Sequence, residues 1–233
     1  MFQIRRANQR GHFKNNWLDS HHSFSFGEYY DPKQMGISVL RVINDDRVTA
    51  GAGFPTHPHN NMEIISYVLE GELAHKDSMG NGSVIRKGDV QRMSAGTGIT
   101  HSEYNPLQTA GTHFLQIWLL PTQRNIQPSY AQAYFSDAEK AEGWRLLISP
   151  SGAEGSLATN TEALLYASLL APEVERAYSL ASDRIGYLFV ASGSVEVEGE
   201  TLAAGDGVAI SANSGFRITG KDTAEVLLFD LPA

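Results

Sequence analysis

MEIISYVLEGELAHKDSMGNGSVIRKGDVQRMSA, residues 62–95, is the stretch whose reading decides the fold. Its apolar runs, MEIISYVLEG, ELAHKDS, SVIR and VQRMSA, are short and are cut by turns at Met79-Gly80-Asn81-Gly82 and Lys87-Gly88-Asp89. Runs of this length between glycine-rich breaks read as strands joined by hairpins rather than as helices. Asn81-Gly82 is the expected hairpin pair, because both residues tolerate positive φ. Further on, HFLQIWLLP (113–121) reads as another strand, with Trp118 and Leu119 packed inside.

The second half repeats this order. YLFV (187–190) precedes a Ser192-Gly193 turn, an alternating strand over 194–198, a Glu198-Gly199-Glu200 turn, and Ala204-Gly205-Asp206 before GVAISA. AEVLLFDLP (224–232) echoes HFLQIWLLP, and Gly88-Asp89 is matched by Gly205-Asp206. The chain therefore reads as all-β, with an internal duplication of one barrel unit. The boundaries are set at 1–122 for a first, metal-binding barrel, 123–144 for a linker and 145–233 for a second barrel. One short helix is expected in SDAEKAEG (136–143), where Ser136 can cap and early acidic residues suit the helix dipole.

Composition narrows the function classes. The 233 residues are 42% hydrophobic and 19% charged, with a net charge of −8. That charge, with no Lys/Arg cluster against it, argues against direct contact with a phosphate backbone. There is no cysteine, so disulfides, thiolate metal sites and cysteine nucleophiles are excluded. No run approaches the ~20 apolar residues of a membrane span. The N-terminus shows no apolar leader segment, so a cytoplasmic, membrane-free protein is expected.

All eight histidines lie within the first 113 residues. His57-Pro58-His59 and His101-Ser102-Glu103 each place two metal-binding side chains at i and i+2, on one face of a strand. Pro58 restricts its own φ and biases His57 to extended backbone, stiffening the pair. Two neighbouring strands carrying these pairs make a three-histidine, one-glutamate cage. Imidazole and carboxylate without thiolate suit Fe, Mn, Ni, Co, Cu or Zn and disfavour Ca²⁺ and Mg²⁺. An octahedral ion held by four protein ligands keeps two open positions, whereas a structural zinc site closes at four. One HxH alone is a weak signal; the second pair, 42 residues on, makes it a strong one.

Other residues have blander readings. His21 and His22 are adjacent and face opposite ways, so hydrogen bonding is preferred over a second metal site. His75 and His113 read as packed or surface histidines. Met62, Met93 and Phe54 read as barrel packing, Asp77-Ser78 as a turn, Asp45-Asp46 as a solvated turn, and Asn105 as an orienting hydrogen-bonder.

At the ligand pairs the chain resembles the cupin superfamily. Gly51, His57, His59 and Glu63 match its first motif, with Gly71 one residue late. Gly88, Gly96, His101 and Asn105 match the second, with Ser94 at the proline position and two extra residues before His101. WLDSHHSFSFGEYYDP (17–32), LRVINDD (40–46), GFPTHPHNNMEIISYVLEG (53–71), KDSMGN (76–81), MSAGTGITHSEYN (93–105) and the LLFDLP ending are similar to the pirin family.

The resemblance implies a bicupin, two jelly-roll barrels face to face, with metal in the first alone. It carries the ligand roles onto His57, His59, His101 and Glu103, and puts Glu63 behind them. It also implies a dioxygenase that opens a flavonol such as quercetin with O₂, with Fe(II) as the expected ion, Glu103 as base, and a monomeric protein. The rival from the same resemblance is an iron-binding, redox-sensitive regulator acting through protein partners. A sugar isomerase or organic-acid decarboxylase would instead need a pocket cation, for which Arg41, Arg86 and Arg92 are the candidates.

Overall fold

Residues 62–95 form four strands, Glu63–Glu70, Glu72–Asp77, Gly82–Arg86 and Asp89–Ser94, as their turn pattern requires. The computed structural model describes residues 2–233. Strands dominate it; helix is confined to Asp137–Glu142 and two single 3₁₀ turns. Ser136 caps that helix: its hydroxyl accepts from Glu139 N, and the Glu139 carboxylate accepts from Ser136 N.

The hairpin turn differs from expectation. Positive φ falls at Gly80 (93°) rather than at Asn81-Gly82, and Gly82 already begins the next strand. The Asp77 side chain is the reason, since its Oδ1 accepts from Met79 N at 2.9 Å and Asn81 N at 3.0 Å. A side chain able to satisfy turn amides selects the turn over the local dipeptide preference.

The chain divides into two compact units. One comprises Gly11–Tyr134 with Thr159–Thr161. Its seven-stranded sheet runs Ser129–Tyr134, Asp89–Ser94, Glu63–Glu70, Thr112–Leu119, Leu40–Val48, Leu18–His22, Gly11–Lys14. Its four-stranded sheet runs Gly53–His59, Ile99–Tyr104, Glu72–Asp77, Gly82–Arg86. Phe114, Leu73, Ile85 and Val68 pack one core cluster, and Ile64, Met93 and Ile99 another.

The other unit comprises residues 2–10, Phe135–Ala158 and Glu162–Ala233. Its large sheet runs Phe2–Arg5, Gly207–Ile210, Arg184–Ser192, Ala224–Pro232, Leu164–Leu170, Arg145–Ser149, Leu157–Ala158. The five strands from Gly207–Ile210 to Arg145–Ser149 repeat those from Asp89–Ser94 to Leu18–His22, while Leu157–Ala158 pairs parallel where Gly11–Lys14 pairs antiparallel. Glu175–Ser179, Gly215–Gly220, Ser194–Val197 and Glu200–Ala203 form the small one. The order shared by these five strands and by the four of each small sheet is the structural form of the duplication.

These units correct the boundaries read from sequence. Residues 2–10 belong with the second barrel, because Phe2–Arg5 pairs with Gly207–Ile210 and Arg6 bonds Asp206. The segment 123–144 is no free linker. Its Ser129–Tyr134 strand completes the first large sheet beside Asp89–Ser94. Each large sheet thus closes with a strand that lies outside the repeated run of hairpins.

Candidate metal centre

Gly53–His59 and Ile99–Tyr104 pair antiparallel, with His101 opposite His57 and Ile99 opposite His59. The register shifts between His101 and Glu103, where the Gly53–His59 strand carries one extra residue. Such a bulge re-aims side chains without ending the pairing. Along Ile99–Tyr104 burial alternates, so Ile99, His101 and Glu103 face inward while Thr100 and Tyr104 face out.

The imidazoles of His57, His59 and His101 converge, with ligand nitrogens all within 4.8 Å of one another. His101 Nε2 lies 3.0 Å from His57 Nε2. Glu103 is buried and shares a second group, on the same distance, with His101 and His75. Its carboxylate is held on both oxygens: Oε1 accepts from Ser66 Oγ at 3.1 Å and Oε2 from Gln116 Nε2 at 2.8 Å.

Hydrogen bonds set the tautomers. A carbonyl can only accept, so His57 Nδ1, 2.7 Å from Pro55 O, carries the proton and Nε2 keeps its lone pair. His75 Nε2 meets the Asp77 carboxylate at 3.1 Å and so donates, leaving His75 Nδ1 to accept from His101 Nδ1 at 3.5 Å. His101 Nε2 is thereby also a lone pair aimed at the cluster. Burial, then the neighbouring His57, pushes His101 down to about 3; burial, then His101, pushes His59 down to about 4. His59 and His101 held neutral, with His57 Nε2 and His101 Nε2 directed at the cluster beside a carboxylate, are what a transition metal requires. The donor set fits the metal.

Glu63 is placed elsewhere. Its Oε2 accepts from Ser94 Oγ at 2.7 Å, Thr159 Oγ1 at 2.7 Å and Asn160 N at 3.2 Å, which anchors the 159–161 segment. Its hydrogen bonds go to none of the histidines.

A cavity of about 470 Å³ opens onto the centre. His57, His59 and Glu103 stand on its wall with Phe26, Phe54, Trp118, Ser20, His22, Asn44, Asp46 and Gln116. Phe54 and Trp118 pack against the core clusters and also line the cavity, while Leu119, on the opposite face, is fully buried. Asp45-Asp46 is no turn: both residues lie within Leu40–Val48, and Asp46 is buried. Burial, only partly offset by the Ser20 hydroxyl, raises the Asp46 carboxyl to about 7. No lysine or arginine is among the lining residues. Arg41, Arg86 and Arg92 bond instead to Ser25 O, Glu72 and Ser94 with Ser129.

One row of residues, His22 apart, had no sequence reading. Across the large sheet His22, Asn44, Gln116, Ser66 and Gln91 stand directly opposite one another on five successive strands. Cross-strand partners project to the same face, so these form a polar row inside the barrel. The signal was present at two of them: Gln116 and Ser66 are each a polar residue flanked by apolar ones on their strands. A further group, His12, Asp19 and His21, lies on the partly exposed hairpin, where Lys14 Nζ already pairs with Asp19 at 2.6 Å. His22 points the other way, into the cavity, as strand alternation demands.

In the second barrel the strand equivalent to Gly53–His59 is Glu175–Ser179, with no histidine. Its Tyr178 donates to Asp230 at 2.7 Å, which also holds Arg184, and the rings of Tyr166, Trp144 and Phe216 surround it. Aromatic packing takes the place of ligands there.

Comparison with known proteins agrees with this architecture. Residues 3–119 match the pirin family, and residues 146–231 match the quercetinase C-terminal cupin domain. The chain is 46% identical over 232 residues to the quercetin 2,3-dioxygenase of Escherichia coli K12, covering 100% of this chain and 99% of that protein. A putative quercetin 2,3-dioxygenase of Pseudomonas aeruginosa is 41% identical, over 99% of this chain and all of its own length. The crystal structure of the E. coli bacterial pirin YhhW in complex with nickel(II) superimposes with a TM-score of 0.94 at 45% identity, covering 100% of this chain and 99% of that one. On sequence, fold and relatives, this chain belongs to the pirin family and is an enzyme of the cupin dioxygenase class.

Proposed function

We propose that this protein is a metal-dependent dioxygenase that opens the ring of a flavonol such as quercetin with O₂, its metal held by His57, His59, His101 and Glu103. The observation that carries this reading is the convergence of His57, His59 and His101 beside the hydrogen-bonded Glu103 carboxylate, with His57, His59 and Glu103 on the wall of an aromatic-lined cavity of about 470 Å³. A divalent ion held by these residues would supply Lewis-acid polarisation of the chelating 3-hydroxyl and 4-carbonyl pair.

The protein's own residues do the rest. Phe26, Phe54 and Trp118 give a flat apolar lining that orients a planar ligand and keeps water away. Glu103 takes the proton of the 3-hydroxyl on a carboxylate oxygen, within the hold of Ser66 and Gln116. The histidines transfer no proton in the reaction; Pro55 commits the tautomer of His57 and the His75–Asp77 pair that of His101. The absence of cationic side chains from the lining disfavours the isomerase and decarboxylase readings, which need a pocket cation.

The test is aerobic loss of quercetin absorbance, with carbon monoxide release, by protein loaded separately with Fe(II), Ni(II), Co(II), Mn(II), Cu(II) and Zn(II). Turnover with one or more of these ions, abolished together with metal content in His57→Ala and His101→Ala, is the expected result. Unchanged quercetin with every ion fully occupied would remove the proposal.

A further inference from the structure

The cavity has a second polar locus apart from the ligand cluster. Ser20 and His22 lie at i and i+2 on Leu18–His22, opposite Asp46 and Asn44 on Leu40–Val48. All four are buried and all four line the cavity. Ser20 Oγ donates to Asp46 Oδ1, and His22 Nε2 lies 2.8 Å from the same hydroxyl. The single serine proton goes to the carboxyl, so His22 Nε2–H donates to Ser20. This chain ends on Asp46.

Between this locus and the histidine cluster run two aromatic rings in edge contact. His22 meets Phe26 at 5.3 Å between ring centroids, Phe26 meets Trp118 at 5.3 Å, and Trp118 meets His59 at 5.0 Å. Between the two polar ends the lining is thus aromatic along this side, with Asn44 and Gln116 on the sheet beside it. A planar aromatic ligand with oxygens at both ends complements that pattern. Buried polar groups engaging a ligand hydroxyl discriminate strongly against analogues that lack it, because they are then left unpaired.

We propose that Ser20, His22 and Asp46 form a recognition site for a phenolic hydroxyl on the part of the substrate remote from its chelating oxygens. The proposal rests on the flavonol reading above and adds to it a selection for polyhydroxylated rings. Ser20 and His22 act as positioning residues for Asp46, which makes the direct contact. The metal and its ligands take no part in this selection.

The experiment is anaerobic calorimetric binding of two probes to nickel-loaded protein. 3-Hydroxyflavone carries the chelating pair alone; quercetin carries the same pair with ring hydroxyls added. Wild type is expected to bind quercetin about tenfold more tightly, the scale of one buried hydrogen bond. Asp46→Ala and the milder Ser20→Ala should erase that preference, leaving 3-hydroxyflavone binding within about twofold of wild type and nickel content unchanged. Equal weakening of both probes, or an undiminished quercetin preference, overturns the hydroxyl site and leaves the flavonol reading standing. Binding of neither probe by wild type overturns both. Selective binding without turnover in the aerobic assay keeps the hydroxyl site and rejects the dioxygenase reading.

Discussion

His101 and His75 face each other Nδ1 to Nδ1 at 3.5 Å, and Asp77 holds the far side of His75 at 3.1 Å. This carboxylate–histidine–histidine line commits His101 Nε2 to the ligand cluster. Asp77 stays ionised for the purpose: burial pushes its carboxyl up, but the bonds from Asn81 and His75 outweigh this and leave it below the usual range. Such outer partners typically govern metal affinity by 10–100-fold. His75→Ala is therefore expected to weaken metal binding by about that factor in chelator competition, with the fold retained. Unaltered affinity would show that the line does not control the ligand.

Gln116 holds Glu103 through its amide. Gln116→Leu keeps the volume and removes the donor, leaving a buried carboxylate oxygen short of a partner. The cost is about 1–3 kcal/mol of stability in the metal-free protein. Denaturant unfolding of that form reads it directly, and metal should restore part of the loss by binding the folded state alone.

Asp46 gives a pH signature. Its folded pKa of about 7 lies above its ordinary value of 3.8, so the folded state holds more protons between these limits. Stability from this group is complete below 3.8 and is lost as pH rises through 7. Asp46→Asn removes the dependence. The melting temperature of the variant minus that of wild type should rise from pH 5 to about pH 8 and then level off. A flat difference across that range contradicts the assignment.

Gly96 precedes the His101 strand with φ of +47°, and a Cβ there would stand 2.1 Å from Ile126 O. The obstacle is backbone, which has little room to give. Gly96→Ala is expected to cost about 1–3 kcal/mol and to loosen metal binding, because the displaced loop leads directly into Ile99–Tyr104. Calorimetric unfolding and metal titration measure the two effects separately.

Strand positions were largely legible. YLFV, GVAISA and AEVLLFDLP fall on strands of the second barrel as the repeat requires, and alternation puts His57, His59 and His101 in one cluster, with Glu103 beside His101 in an adjoining one. Strand period and turn chemistry are local properties, which a single chain displays openly. The partners of those residues were less legible. His75 read as a packed histidine and Asp46 as a surface residue, because their significance depends on strands far away in sequence. Gly80 displaced Asn81-Gly82 at the turn for a related reason: the Asp77 side chain overrode the dipeptide preference.

By itself, then, the sequence determined the class of fold, the duplication and which candidate ligand residues share a strand face. Two residues apart on a strand share a face whatever surrounds them. Tertiary structure alone decided the barrel membership of residues 2–10 and Ser129–Tyr134, the placement of Glu63 against Thr159, and the polar row ending at the cavity. Those outcomes depend on sheet register and closure, which arise when distant strands meet and which no local pattern encodes.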